Sequence, residues 1–423
     1  MTLYLGNLAR LRVIQESSFG TDMSGTMNSF LEVPFSEGTL TATLMQPTES
    51  PKHAQQRADG YPIEVLLPKV GSKVEFECNL ETFTTKATST VAATKGWLGT
   101  LLECALGGSH LMTGTVATTG ATTTSIPVSV ATTLRPGAAI GLPSGTGSAL
   151  EVREIKSKSA STLTLKLAAS SSIAAAATVY GSATYYTDPL TTGASYIPIQ
   201  FALEGHNTED RWLLKGGALE SLSITLAPGQ IPKLKFAWIF ADWDQADGAL
   251  TSGDLVGPQL GQATFINAVT LVQADSEFRV ATVGTTSMSG TLMQPSSIEF
   301  KPNIKFAMPR TPSGVNTVLQ FVRVHEAPVL TGTFTIPYEA DQAQFTARDA
   351  RSVKAVFYQI GSSTTYGAIM LSAPTVQITD VQRANVDGVM CQVVSWKARL
   401  DTDTTAETSY ESIAGAALRI HCL

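Results

Sequence analysis

The side chains with the plainest claim to chemistry sit in "DWDQADG", residues 242–248, where Asp242, Asp244 and Asp247 present three carboxylates. A calcium loop of the helix–loop–helix kind needs its third ligand at position 5, glycine at position 6 and a closing Glu at position 12. Here Asp247 and Gly248 arrive one residue late and no Glu closes the loop, so the stretch reads as a solvated connection between two halves of the chain. His421 and Cys422 are both metal-ligating types, but two adjacent ligands do not make a cage. The five histidines, His53, His110, His206, His325 and His421, form no H-x-x-x-H pair. "GLPSGTGSALE" (141–151) holds a lone G-x-G without a phosphate loop's lysine and reads as a tight turn. There is no G-x-S-x-G elbow. With no nucleophile, metal cage or cofactor loop, the expectation is no enzyme and no cofactor. Three readings stay open: a structural subunit of an assembly, a binding module, and an enzyme built from dispersed residues.

The elements that would position any site come from composition and period. The chain has 423 residues, 43% hydrophobic and only 15% charged, well below the usual quarter. Its net charge is −6, from 29 basic and 35 acidic side chains without a block of like charges. Tight nucleic-acid binding needs a clustered basic face, and the sequence offers none. Arg10 and Arg12 interrupt the N-terminal stretch, and no apolar run approaches the roughly 20 residues of a membrane span. A cytosolic product without membrane insertion is expected. Cys78, Cys104, Cys391 and Cys422 form no C-x-x-C pair and read as free thiols in a reducing compartment.

Thr, Ser, Ala, Gly and Val dominate, and apolar–polar alternation marks a mainly β protein. Residues 30–47 alternate, a polar loop follows at 48–60, and two further strand-like runs lead to a helix at 94–108. There Trp97, Leu101, Leu102 and Ala105 fall at helical spacing, with Gly107–Gly108 as the stop. Residues 113–190 turn Thr/Ser/Ala-rich yet still alternate, which predicts a small inserted β-domain. The second half repeats the order: strands, a polar loop at 296–316, a second helix candidate at 345–361 and a final hairpin. "TLMQP" occurs at 43–47 and again at 291–295. "SLSITLAPGQIPKLKFAWIF" (221–240) lines up with 375–400, matching Ile224 to Ile378 and Trp238 to Trp396 if the second turn is four residues longer. This predicts a duplicated domain: 1–112 with 191–250 as the first copy, 113–190 as the insert, and 251–423 as the second copy.

"QESSFGTD" (15–22), "GALESLSITLAPGQIPKLKFAWIF" (217–240) and "APTVQITDV…VMCQVVSWKARLDT" (373–404) resemble the opening and the terminal strands of the tail tube protein of long-tailed bacteriophages. The likeness covers everything except the 113–190 insert. It implies two tandem tail-tube-like β-sandwich domains, each with a flanking α-helix, plus the small inserted β-domain. It also implies stacked rings in the virion tail, made in the host cytoplasm, around a lumen that holds the tape measure protein and, transiently, double-stranded DNA. Family members usually carry one domain and form hexameric rings; two per chain suggest a trimer of fused pairs, with a hexamer as the alternative. The polar loops are assigned to ring stacking, through Glu49, Lys52, Arg57 and Asp59 in the first and Lys301, Lys305 and Arg310 in the second. The alternative is another virion piece: a tail terminator, a baseplate ring or a capsid decoration protein.

Overall fold

Alternating side chains need a second layer to bury against, and the chain supplies it by folding long strands across two layers. The computed structural model describes residues 2–4, 10–21, 23, 29–44, 71–80, 92–93, 95–144, 149–188, 197–204, 211–226, 230–245, 276–283, 291–293, 295–307, 322–338, 343–363, 367–407 and 411–423. Strands make up 61% of these residues and helices 8%, and the sheets are antiparallel. The protein is mainly β.

The first set of elements is β1 (Thr2–Tyr4), β2 (Arg10–Gln15), β3 (Leu31–Val33), β4 (Thr41–Thr43), β5 (Ser72–Asn79) and α1 (Trp97–Leu106). An intervening set follows: β6 (Gly107–Leu111), β7 (Thr115–Val116), β8 (Ser125–Pro127), β9 (Ala139–Ser144), β10 (Ala149–Ser159), β11 (Thr162–Leu165), β12 (Thr178–Gly181) and β13 (Ala183–Thr187). The first set resumes with β14 (Ile199–Glu204), β15 (Arg211–Leu226), β16 (Lys233–Phe240) and β17 (Asp242–Gln245). The last set is β18 (Glu277–Thr282), β19 (Thr291–Met293), β20 (Ser297–Ala307), β21 (Val322–Pro337), α2 (Ala343–Asp349), β22 (Val353–Ser363), β23 (Gly367–Val386), β24 (Val389–Ala398), α3 (Glu411–Gly415) and β25 (Arg419–Cys422).

The helix expected at 94–108 is α1, buried along its whole length and closed by Gly107 at φ 95°, whose N–H reaches the Glu103 carbonyl. The second helix candidate is only partly helical. α2 ends at Asp349, Arg351 turns the chain at φ 51°, and "VKAVFYQIGSS" is strand β22. Its β-branched and aromatic side chains fit a pleated, buried surface better than a helix.

Two strand sets pair in the same order, β3-β2-β14-β15-β16-β5-β4 and β19-β18-β22-β23-β24-β21-β20. The correspondence extends to register. Phe201 lies between Val13 and Leu214, as Val356 lies between Val280 and Ala373. Each set slips its ladder at the same two places, after Ile199 and Lys354 and again after Leu219 and Ile378. Leu219–Trp238–Val74 in one set therefore matches Ile378–Trp396–Gly332 in the other. The short strand β17 beside β15 has its counterpart in β25 beside β23.

This register keeps Trp238 matched to Trp396 but corrects the rest of the hairpin alignment. Ile378 corresponds to Leu219, and Ile224 corresponds to Arg383. Trp396 follows Ile378 by one residue fewer than Trp238 follows Leu219, so the second hairpin is shorter, not longer. The "TLMQP" match is not structural over its described residues. Thr43 ends β4, whereas Thr291–Met293 form β19, the counterpart of Leu31–Val33. Core contacts and bulges hold register, and many apolar side chains satisfy them equally, so surface pentapeptides carry little of it.

The two layers meet through aromatic rings. Phe201 on β14 lies 6.1 Å from Phe76, 5.6 Å from Trp238 and 5.0 Å from Phe240. In the second set Phe278 on β18 lies 5.2 Å from Phe334, and Phe300 meets Trp396 edge-on at 5.4 Å. Burying each such ring is worth about 1.5–3 kcal/mol. Gly332 is required here, since a Cβ would stand 2.1 Å from the Trp396 ring.

The intervening set separates α1 from β14, while α2 reaches β22 within four residues. Its first and last strands, β6 and β13, pair with each other, and β13 also pairs with β25. It has a core of its own, with Ile126, Ile140, Ile155, Leu163 and Val179, joined by Ile413 of α3.

Candidate functional site

The residues singled out for metal chemistry are committed elsewhere. Asp242 and Asp244 lie on β17, a strand rather than a loop, and Asp244 Oδ2 accepts from Lys215 Nζ at 2.5 Å. Asp247 lies outside the described residues. The G-x-G of 141–151 falls at 145–147, also outside them, between β9 and β10, which pair from Ser144 to Ala149. All four cysteines are buried free thiols. Burial pushes Cys422 up to about 12, far from the thiolate a metal or nucleophilic role requires.

His421 belongs to a buried polar network that the sequence reading missed. Its Nε2 stands 3.0 Å from Glu154 Oε1 and its Nδ1 2.9 Å from Thr184 Oγ1. Burial lowers its pKa, opposed by the hydrogen bond to Glu154; the neutral ring then donates from Nε2 and accepts at Nδ1 from the Thr184 hydroxyl. Arg419 donates from Nη1 to both Glu154 oxygens at 3.2 Å and from Nη2 to Asp401 Oδ2 at 2.8 Å. Its remaining donors reach the Ile413 and Ala414 carbonyls at 2.9 and 2.6 Å. Lys166 Nζ completes the Asp401 site at 2.7 Å and meets Thr404 at 3.1 Å. Burial alone would raise the Glu154 carboxyl, but the Arg419 charge and the His421 bond hold it at about 2. Asp401 is likewise held well below its ordinary range against burial, by Arg419 and Lys166.

Thr184–His421–Glu154 has the connectivity of a nucleophile, base and acid. Yet Thr184, His421 and Arg419 are fully buried, and Arg419 neutralises the carboxylate. The arrangement ties the intervening set to the C-terminal strand across as many as 267 residues. Buried charges persist only when paired and hydrogen-bonded; Arg419, Glu154 and Asp401 are both, and Lys166 is paired with Asp401. The signal was a charge inside an apolar pattern, as Arg419 in "AALRIHCL" and Lys166 in "TLTLKLAA".

The sheet itself offers the larger surface. Residues Ile224–Leu226 at the end of β15 pair with Ile298–Phe300 of β20, which joins the two sets. One antiparallel sheet of eight strands results, β4-β5-β16-β15-β20-β21-β24-β23, four from each set. One face packs on the core. The other carries Lys73, Lys233, Lys235, Lys301 and Lys397 against Glu75, Glu77, Glu220, Glu299 and Asp380, amid Thr and Ser. Lys233 pairs with Glu77 at 2.5 Å and Lys301 with Glu299 at 2.8 Å. Lys73 also pairs with Glu220. Beside this face, Arg348, Arg351, Lys397 and Arg399 line a cavity of about 470 Å³ with Gln377, a small cluster of cations that composition alone did not reveal.

Of the stacking residues, Lys301 and Lys305 stand on strand β20, not on a loop, opposite Thr331 and Val324. Residues 297–307 alternate into the core through Ile298, Phe300 and Ile304, which is why they pair. Glu49, Lys52, Arg57, Asp59 and Arg310 lie outside the described residues. Among the described residues no helix is long and apolar enough to cross a membrane. No protein-family model matches the chain, and no curated protein matches it.

Proposed function

We propose that this chain is a structural subunit of a hollow tube, as in the tail tube of long-tailed bacteriophages, assembled from stacked rings. The observation that carries the reading is the eight-stranded sheet, to which the two register-matched sets contribute equally and which ends at β23 on one side and, under the three-residue strand β1, at β4 on the other rather than closing. Bare edges are an aggregation hazard that ring closure removes. Three chains would supply about 24 strands; at ~4.8 Å spacing and ~40° tilt these make a wall roughly 48 Å across. Its lumen admits a DNA duplex. The evenly balanced, Thr/Ser-rich open face suits such a lumen, because unpaired cations would hold phosphates by releasing their counterions.

In this reading 1–112 with 191–250 and 251–423 are two tail-tube-like sandwich domains, and 113–190 is an inserted domain on the tube exterior. The polar stretches 48–60 and 296–316 stack one ring on the next, and the tape measure protein fills the lumen before DNA does. Electron microscopy of the purified protein is the test. Long tubes of pseudo-hexameric rings are expected; single rings would favour a terminator or baseplate piece, and discrete monomers under all conditions would end the reading.

A further inference from the structure

The chain contains a template for what its two outer edges should meet. Inside, β15 ends against β20 with Ile224 opposite Phe300, Thr225 opposite Glu299 and Leu226 opposite Ile298. In the matched registers β23 is the counterpart of β15, and β4 the counterpart of β20. The corresponding positions are Arg383, Ala384 and Asn385 on β23, and Ala42, Thr41 and Leu40 at β4. These two edges lie at opposite ends of the eight-stranded sheet. β4 is covered instead by β1, with Leu3 opposite Ala42 and Tyr4 opposite Thr41. Beyond Ile378, β23 pairs only with β24 among the described residues.

We propose that a second copy of this chain docks its β4 edge on β23 of the first, with Arg383 opposite Ala42, Ala384 opposite Thr41 and Asn385 opposite Leu40. The strand Thr2–Tyr4 is a placeholder that leaves β4 when this happens. The inference rests on the assembly reading above and adds to it a surface, a register and a gate. A sheet edge needs partners for its backbone groups, and β1 supplies them to a lone chain at Thr41 and Ala42, two of the three ladder positions the neighbour would take.

Paired cysteines test this. Directly opposed antiparallel residues lie about 4.5–5.5 Å apart at Cα, within disulfide reach. The double variant Ala384→Cys with Thr41→Cys should give a ladder of covalently linked chains on oxidation. Ala384→Cys with Thr43→Cys, two residues out of register, should give at least about tenfold less. A second variant, Leu3→Cys with Ala42→Cys, locks the placeholder within one chain. Its oxidised form should stay a single-chain species, and reduction should restore assembly, which also shows that the locked chain is folded. Assembly of the oxidised lock at the reduced rate, or stronger linkage from the out-of-register pair, overturns the inference while leaving the tube reading intact. Wild-type chains that never associate overturn both.

Discussion

The internal seam and the β23 edge of the sheet occupy equivalent register positions but carry opposite chemistry. At the seam Ile224 and Leu226 face Phe300 and Ile298, all buried. At the outer edge the same positions hold Arg383 and Asn385, both exposed, with Arg383 donating to the Tyr338 hydroxyl at 3.2 Å and resting on its ring. Equivalent register positions are thus made permanent inside the chain by apolar side chains and kept reversible at β23 by polar ones. Polar edge residues are how sheets avoid indiscriminate pairing.

The contrast breaks most visibly if the seam is given the edge's side chains. Ile224→Arg with Leu226→Asn buries an unpaired charge against Phe300 and should cost about 4 kcal/mol or more, read by denaturant unfolding. A preserved midpoint would show that the seam does not depend on its apolar contacts. Arg419→Met sharpens the comparison from another side, because the junction between the intervening set and the C-terminal strand is sealed by ions. Removing the cation leaves Glu154 and Asp401 uncompensated and should cost about 3–5 kcal/mol; a stabilised variant would mean that their burial is not maintained.

The same junction predicts acid sensitivity. Glu154 is held at about 2, below its ordinary 4.5, so its stabilisation is complete above pH 4.5 and fades as pH falls toward 2. The full contribution is about 3 kcal/mol, and Glu154→Gln should flatten the stability–pH profile across that window. His421, held neutral, adds a loss as pH drops below 6.5. The smallest effect on the lone chain is the converse exchange at the edge. Arg383→Ile with Asn385→Leu should change its stability by within about 0.5 kcal/mol. The concentration needed for assembly should nevertheless fall about tenfold, as one added apolar contact allows. Light scattering against concentration reads this directly, and an unchanged threshold would separate edge chemistry from association.

Much of the architecture was legible in the sequence. The alternation in "SKVEFECN" and "KLKFAWIF" became β5 and β16 side by side, and Trp97, Leu101 and Leu102 marked the first helix. The correspondence between the two strand sets was legible only at Trp238 and Trp396, which hold matching register positions. It was misread at "TLMQP" and Ile378, since surface strands tolerate many sequences. For the second half, "SVKAVFYQIG" was read as helix because an apolar stretch of that length fits either period. The buried ionic junction was overlooked because each charge is ordinary by itself.

From the residues alone came the β class, the first helix and the scarcity of charge, because period, propensity and composition are local properties of a string. Tertiary structure alone decided which strands correspond, that two sets of four merge into one sheet, and that Glu154 meets Arg419 across 265 residues. Strand pairing and ion pairing join segments whose mutual distance no local pattern encodes, and a slip of one residue would turn every side chain to the other face.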